Sequence, residues 1–206
     1  MASPLEEEIA RLQHGHHVCC YYDSPAHQMA IAIAYIKTGL ARAEQCLYIA
    51  DELTLRAVAA VLAQTGVDVR GEQERNALVL LTPADAYLRN GGVFAADWML
   101  RFLADGLDQA LIDGFSGLRA GGDMSWIHED VPGADEAPEY EARLNQFFPG
   151  RPALGLCLYH RARTSAAIRN SALGTHPHVV LRDRLRASPY YQAAAAVPDR
   201  PAPSGR

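Results

Sequence analysis

Two groups of histidine and cysteine could bind a metal or carry out thiol chemistry. Their members are His14, His16, His17, Cys19 and Cys20 in the first group, and Cys157 and His160 in the second. Imidazole and thiolate ligate zinc and haem iron. Neither group has the spacing of a known metal motif, and a cysteine inside an apolar run usually behaves as a small buried hydrophobe. We therefore expect no metal or other cofactor. His17, Cys20 and Cys157 remain the candidates for a metal, haem or thiol-dependent function.

Polar and aromatic side chains follow several short apolar runs that are typical of buried strands. These runs are 17–22, 46–50, 77–82, 116–122, 154–159 and 178–181. In a parallel sheet, ligands bind outside the carboxyl ends of the strands. A mixture of aromatic and charged groups there suits an amphipathic small molecule. The candidate ligand-binding residues from this argument are Tyr22, Glu52, Arg119, Met124, Trp126, Tyr159 and His160. The alternative that they are helix caps and core aromatics stays open.

Helical patterns separate the apolar runs. One helix is predicted from Pro25 to about Gly39, with Ser24 as its N-cap, and a second from Thr54 to Gly66. A third is predicted over 94–112. Its expected buried residues are Phe94, Trp98, Phe102 and Leu111. Strands that alternate with helices predict an α/β fold, with a mostly parallel sheet flanked by helices on both faces.

Length and composition describe one ordinary globular domain. The chain has 206 residues, of which 49% are hydrophobic and 21% charged. No apolar run approaches the roughly 20 residues of a membrane span, and three glutamates stand near the start, where a secretory signal would be basic. We therefore expect a cytoplasmic location, free thiols and no membrane partner. Base rates for soluble proteins favour a homodimer.

Charge is distributed unevenly along the chain. Residues 1–150 carry 10 basic and 22 acidic side chains, whereas residues 151–206 carry nine basic and two acidic ones. A basic segment can bind nucleic acid. Here the arginines alternate with apolar residues, and no helix-turn-helix or zinc-finger pattern accompanies them. We expect no direct contact with nucleic acid, and an arginine-rich face that complements the acidic part of the chain or an anionic ligand.

At this point the residues match a known pattern. The ordered motifs HVCCYYDS, GFSGLRAGGDMSW, EYEARLNQFFPG, LCLYHR and THPHVV resemble the MEDS domain, a sensory domain of methanogen and methylotroph proteins and of a dichloromethane-responsive regulator. The resemblance runs from about His14 to Tyr191. Across the segment GLARAEQCLYIADE the chain is also similar to RecA-like ATPases of the circadian-clock type, but it lacks their phosphate loop.

The resemblance implies a RecA-like core with a degenerate nucleotide site, and a sensor of hydrocarbon-like small molecules. Matched to the motifs of this chain, it adds Glu141 and His176 to the candidate ligand-binding residues and also marks Asn145. The implied domain spans 14–191, preceded by an extension (1–13) and followed by an Ala- and Pro-rich tail (192–206).

Three functions stay open from the sequence. The preferred one is a non-enzymatic sensor that binds a small organic ligand and signals through a separate regulatory protein. In that function Arg119 would pair with Glu141 or with an anionic ligand, while Trp126 and Tyr22 would form apolar walls. The second is an interaction module that regulates a kinase or transcription factor without a ligand, and the third is a metal, haem or thiol-dependent protein.

Nucleotide binding is not expected. The chain has no GxxxxGK[ST] or GxGxxG motif, and Lys37-Thr38-Gly39 lies at the end of a predicted helix with no glycine loop before it. Backbone amides then cannot surround a triphosphate. We predict that isothermal titration calorimetry in magnesium buffer will show no micromolar binding of ATP or GTP. A measurable micromolar affinity would contradict this prediction.

Overall fold

The computed structural model describes residues 3–89, 91–127 and 130–192. Its strands are β1 (His17–Tyr22), β2 (Gln45–Ile49), β3 (Leu78–Leu81), β4 (Leu118–Asp123), β5 (Ala153–His160), β6 (His178–Leu181) and β7 (Arg184–Ala187). Its helices are α1 (Pro4–Ala10), α2 (Pro25–Ala41), α3 (Glu52–Gln64), α4 (Val69–Glu74), α5 (Ala96–Ile112), α6 (Ala137–Phe147) and α7 (Ala166–Thr175), with a 3-10 turn at Ala134–Glu136.

The strands form one sheet in the order β3-β2-β4-β5-β1-β6-β7. All neighbouring strands are parallel except β6 and β7, which pair as an antiparallel hairpin. The prediction of an α/β fold with a mostly parallel sheet is confirmed. Among the described residues, no helix is long and apolar enough to cross a membrane.

Helix starts follow local capping chemistry. At α2 the Ser24 hydroxyl accepts a hydrogen bond from the His27 amide, and Pro25 occupies the first turn, as predicted. At α3 the Asp51 carboxylate caps the helix by accepting from the Thr54 amide. The predicted start at Thr54 is therefore wrong by two residues, because Asp51 accepts the free amide of the first turn.

Of the residues predicted to be buried by the third long helix, Phe94 is buried, just before the helix begins, and the rest of the predicted stripe is wrong by one position. In α5 the buried side chains are Met99, Leu103 and Leu107, with Ala96 and Ala110 at the two ends. Trp98 and Phe102 lie at the edge of this stripe, half-buried and 6.3 Å apart between ring centroids. Leu111 is exposed. The apolar residues of α5 form two neighbouring rows, and the row that contains Met99, Leu103 and Leu107 faces the sheet.

Alternation along the strands divides the core in two. His17, Cys19 and Tyr21 of β1 point to the face covered by α5, α6 and α7, which we name the front face. Val18, Cys20 and Tyr22 point to the back face, which α1, α2 and α3 cover. Helix α1, in the segment expected as an N-terminal extension, buries Leu5 and Ile9 in the back core. The predicted tail lies outside the described residues from 193 onward.

The back face contains a buried ion pair. Arg119 of β4 is completely buried, and its Nε donates to the Glu44 carboxylate. The Arg119 guanidinium also lies over the Tyr35 ring, at 4.7 Å from the centroid. Gly39 of α2 permits this packing, because a Cβ there would lie 2.4 Å from the Cys46 sulfur and 2.7 Å from Arg119 Cδ. The expected pairing of Arg119 with Glu141 is wrong, since Glu141 belongs to the front face.

Removal of the charge of Glu44 should destabilise the fold. In Glu44→Gln the buried guanidinium of Arg119 loses its counter-charge, and breaking a buried ion pair costs about 3 kcal/mol or more. Urea unfolding should show a clear decrease in the free energy of unfolding. The control is Glu74→Gln, which removes the exposed ion pair with Arg70 at 2.7 Å and should have little effect. Equal unfolding midpoints for the two variants would contradict this account.

Candidate functional site

Two adjacent strands of the front face begin the site. In the parallel register of β1 and β5, His17 lies beside Gly155, and Cys157 is two residues further along. Gly155 has no side chain, and the Phe148 ring packs where its Cβ would lie. His17 Nε2 lies 3.7 Å from the Cys157 sulfur. Tyr159, two residues beyond Cys157, also points to the front face.

Helix α6 supplies a buried carboxylate. Glu141 lies on its inward stripe between Ala137 and Leu144 and is only 3% exposed. Its Oε1 accepts a hydrogen bond from the Tyr159 hydroxyl at 3.1 Å. Its Oε2 lies 3.1 Å from His17 Nε2 and 3.6 Å from the Cys157 sulfur, which donates to it. One carboxylate therefore contacts both central strands.

The end of α7 supplies a second histidine. His176 is fully buried, and its ring centroid lies 4.0 Å from that of His17. His176 Nε2 lies 3.2 Å from Glu141 Oε2, but it has no hydrogen-bond partner among the described residues. We name His17, Glu141, Cys157 and His176 the front cluster. All four are buried, and their ligand atoms lie within 4.8 Å of one another.

Neighbouring groups define the tautomers of both histidines. His176 Nδ1 lies 2.8 Å from the Ala172 carbonyl, which can only accept, so Nδ1 carries the proton. Asn145 donates its amide N–H to the Thr175 carbonyl, which turns its Oδ1 toward His17 Nδ1 at 2.9 Å. His17 Nδ1 therefore also carries a proton. In a neutral ring Nε2 then presents a lone pair to the cluster, and in a protonated ring it donates to Glu141.

Burial and mutual contact shift the ionisation of these groups. Burial lowers the pKa of His17, which favours the neutral ring. Burial alone would raise the pKa of Glu141, but His176 and His17 lower it well below its usual value, so Glu141 is a carboxylate. Burial, reinforced by Glu141, raises the pKa of the Cys157 thiol and of the Tyr159 phenol. Both therefore keep their protons and donate to Glu141.

A cavity of about 720 Å³ opens next to Glu141, between α6, α7 and the segment before α6. Glu141 and Tyr159 form its inner end. Its walls are mainly apolar or small, and its outer rim carries charge of both signs. The other lining residues are Ile127, Asp130, Val131, Ala134, Asp135, Ala137, Pro138, Arg163, Ser165, Ala167, Ile168, Ser171 and Ala172. Its volume lies in the usual range for small-molecule sites.

Of the candidate ligand-binding residues, Glu141, Tyr159 and His176 come together at this end of the cavity, and only Glu141 and Tyr159 are among its lining. His17 and Cys157, candidates for a metal, join them. Cys20 lies on the back face, away from both.

The remaining candidates lie elsewhere. Trp126 is buried in the front core, stacked on Tyr87 at 4.7 Å between ring centroids, and Met124 accepts from the Tyr87 hydroxyl. Exposed Glu52 begins α3.

Tyr22 and His160 meet at the carboxyl edge of the sheet. The Tyr22 hydroxyl and the Gln28 amide both donate to Asp123, and the Ser125 amide donates to its other oxygen. His160 packs edge-on against Tyr22, and its Nδ1 accepts from the amide of Arg163. These polar groups therefore bond to one another at the carboxyl ends of β1, β4 and β5.

Helix α7 and the segment before α6 were missed as lining elements by sequence reasoning. The signal for α7 was present: the Ser165 hydroxyl caps it, and Ile168, Ser171 and Ala172 recur at helical spacing as small or apolar residues. For the segment before α6 the signal was its length, because a long loop in a compact domain is often functional. Residues 128 and 129 of that segment lie outside the described part.

Among solved structures, the chain is similar to the KaiC-like protein PH0186 of the hyperthermophilic archaeon Pyrococcus horikoshii OT3. The TM-score is 0.55 at 13% sequence identity, over 81% of this chain and 70% of that chain. At this identity the similarity shows the fold alone, which is RecA-like. Among proteins with curated functional descriptions, none is similar to this sequence.

The sequence also matches a family profile. Residues 16–177 match MEDS, the MEthanogen/methylotroph, DcmR Sensory domain. This range includes the whole front cluster and the described lining of the cavity. Since the match covers well over half of the 206 residues, the chain belongs to the MEDS family of sensory domains.

Proposed function

We propose that this sensory domain detects a small organic molecule bound in the cavity between α6 and α7. The single observation that carries the proposal is the cavity itself, of about 720 Å³, which ends at buried Glu141 and Tyr159. A mainly apolar site with a few converging polar groups is the usual design of a small-molecule pocket. In a sensory domain, such a cavity is well suited to bind the molecule that is sensed.

The lining favours a hydrocarbon-like ligand with one polar group. Ile127, Val131 and Ile168 offer apolar surface along the walls. At the inner end, Glu141 is a carboxylate, so it accepts hydrogen bonds and favours a donor such as a hydroxyl or amine. Orientation by one polar group and affinity from the apolar walls would together select the ligand.

The proposed response is a change in the position of α7. This helix forms one wall, and Asn145 ties its end to α6 by donating to the Thr175 carbonyl. A ligand that binds better to one position of α7 than to another would shift the population of the two. In this proposal a separate regulatory protein reads the shift, and the domain has no catalytic role.

We also propose a cytoplasmic location. All four cysteines are buried and unpaired, which suits a reducing compartment.

The cavity can be filled by mutation without touching its polar end. In Ser171→Phe the added ring should occupy the space beside Ile168 and Ala172 and prevent binding. The matched control is Asn170→Phe, at an exposed position of the same helix. Binding is measured by thermal shift and native mass spectrometry against a panel of short and medium-chain alcohols, amines, thiols and carboxylic acids. We expect at least one class to bind wild type and Asn170→Phe, and to bind Ser171→Phe at least tenfold more weakly.

Trp126 offers a second readout, because it directly precedes Ile127 of the cavity wall. In a Trp98→Phe background, ligand should change the emission of Trp126. Equal binding by Ser171→Phe and Asn170→Phe would place the ligand elsewhere. If no compound class binds and a regulatory protein is still bound by the domain, the ligand-free interaction module is the better function.

A further inference from the structure

The front cluster has the geometry of a metal site. Zinc bonds of about 2.0–2.1 Å to nitrogen or oxygen and about 2.3 Å to sulfur give tetrahedral edges of about 3.3 Å between N or O ligands and about 3.6 Å to sulfur. From Glu141 Oε2, the distances are 3.1 Å to His17 Nε2 and 3.2 Å to His176 Nε2. From the Cys157 sulfur, they are 3.7 Å to His17 Nε2 and 3.6 Å to Glu141 Oε2. Four of the six ligand-to-ligand distances are therefore within about 0.2 Å of the tetrahedral edges, and the four ligand atoms all lie within 4.8 Å of one another.

The groups that contact the outer nitrogens of both histidines also favour a metal. Histidines that bind metals almost always donate their other ring N–H to a carbonyl or carboxylate. Here His17 Nδ1 donates to Asn145 and His176 Nδ1 donates to the Ala172 carbonyl. Both Nε2 lone pairs are thereby held toward the cluster. In addition, His176 Nε2 is fully buried and makes no hydrogen bond of good geometry within the described residues, and its charged neighbour is Glu141 Oε2 at 3.2 Å.

Charge balance distinguishes a metal from an ion pair. Without a cation, two Nε2 lone pairs face one carboxylate oxygen, and protonation of a single ring satisfies only one of them. Protonation of both would bury a net positive charge, which is costly. A divalent ion with two neutral imidazoles, the Glu141 carboxylate and a Cys157 thiolate gives a neutral centre. Nitrogen, oxygen and sulfur ligands together favour zinc or another first-row transition metal over calcium or magnesium.

We propose that His17, Glu141, Cys157 and His176 bind one divalent transition-metal ion, of which Zn²⁺ is the best fit. This centre is a property beyond the proposed ligand site and does not require it. Asn145 would act as a positioning residue that orients His17. Because Glu141 also lines the cavity, the ion would lie behind its inner end.

The test uses the full chain without an affinity tag, treated with EDTA and then titrated with Zn²⁺ or Co²⁺. We expect one ion per chain, a higher melting temperature with Zn²⁺, and, with Co²⁺, a thiolate-to-metal charge-transfer band together with the intense visible bands of a tetrahedral site. Cys157→Ser should lose the charge-transfer band. The matched control is Cys46→Ser, a buried cysteine of the back face, which should keep it.

Two further variants test the site in case Cys157→Ser does not fold. Circular dichroism establishes that each variant is folded before titration. Glu141→Gln and Asn145→Ala should weaken the affinity for Zn²⁺. For Asn145→Ala we expect about 10 to 100-fold, because a residue that orients a metal ligand is lost. Asn145→Ala should also shift the visible bands of Co²⁺, which a purely structural role would leave unchanged.

The outcomes that overturn the proposal are clear. Absence of stoichiometric metal binding by the folded wild type would do so, as would an unchanged Co²⁺ spectrum in folded Cys157→Ser. No organic ligand is present in this experiment, so a negative result would not contradict the proposed ligand site in the cavity. Conversely, Ser171→Phe should still bind the metal when it has lost its organic ligand.

Discussion

The arrangement of the site depends on the buried carboxylate of Glu141. It is removed from water on α6, and it contacts β1 through His17, β5 through Cys157 and Tyr159, and the end of α7 through His176. An isolated buried charge is strongly unfavourable, so each of these groups has to stay in reach for the domain to fold in this form. The same carboxylate also lines the inner end of the cavity. A group that stabilises the core therefore lies where a ligand would bind.

The strict alternation of strand side chains keeps two buried charged groups apart. Arg119 and Glu44 lie on the back face with Tyr35, whereas Glu141 and the two histidines lie on the front face. A shift of one residue in the register of β4 would exchange these faces. Glycines allow close packing on both faces, since Gly39 leaves space for Arg119 and Gly155 leaves space for the Phe148 ring.

The fold is RecA-like, and the connection between β1 and α2 is short. Strand β1 ends at Tyr22 and α2 begins at Pro25, so two residues connect them. This turn is too short for a loop that surrounds phosphates with backbone amides. Lys37-Thr38-Gly39 is part of α2, near its end. The cavity has formed instead between α6 and α7, on the front face, where small residues of α7 leave room.

The sequence alone determined the class of fold, most strand positions and the start of α2, because alternating apolar runs and capping residues are local signals. The family motifs also marked Glu141, Tyr159, Cys157 and His176. Only the tertiary structure decided which of these residues meet. His17 and Cys157 are 140 positions apart, and their contact depends on the pairing of β1 with β5. Similarly, Cys20 and Cys157 lie on opposite faces of the sheet, as do Arg119 and Glu141. Alternation along a strand shows that neighbouring side chains point to opposite faces, but which helices cover each face depends on the tertiary structure.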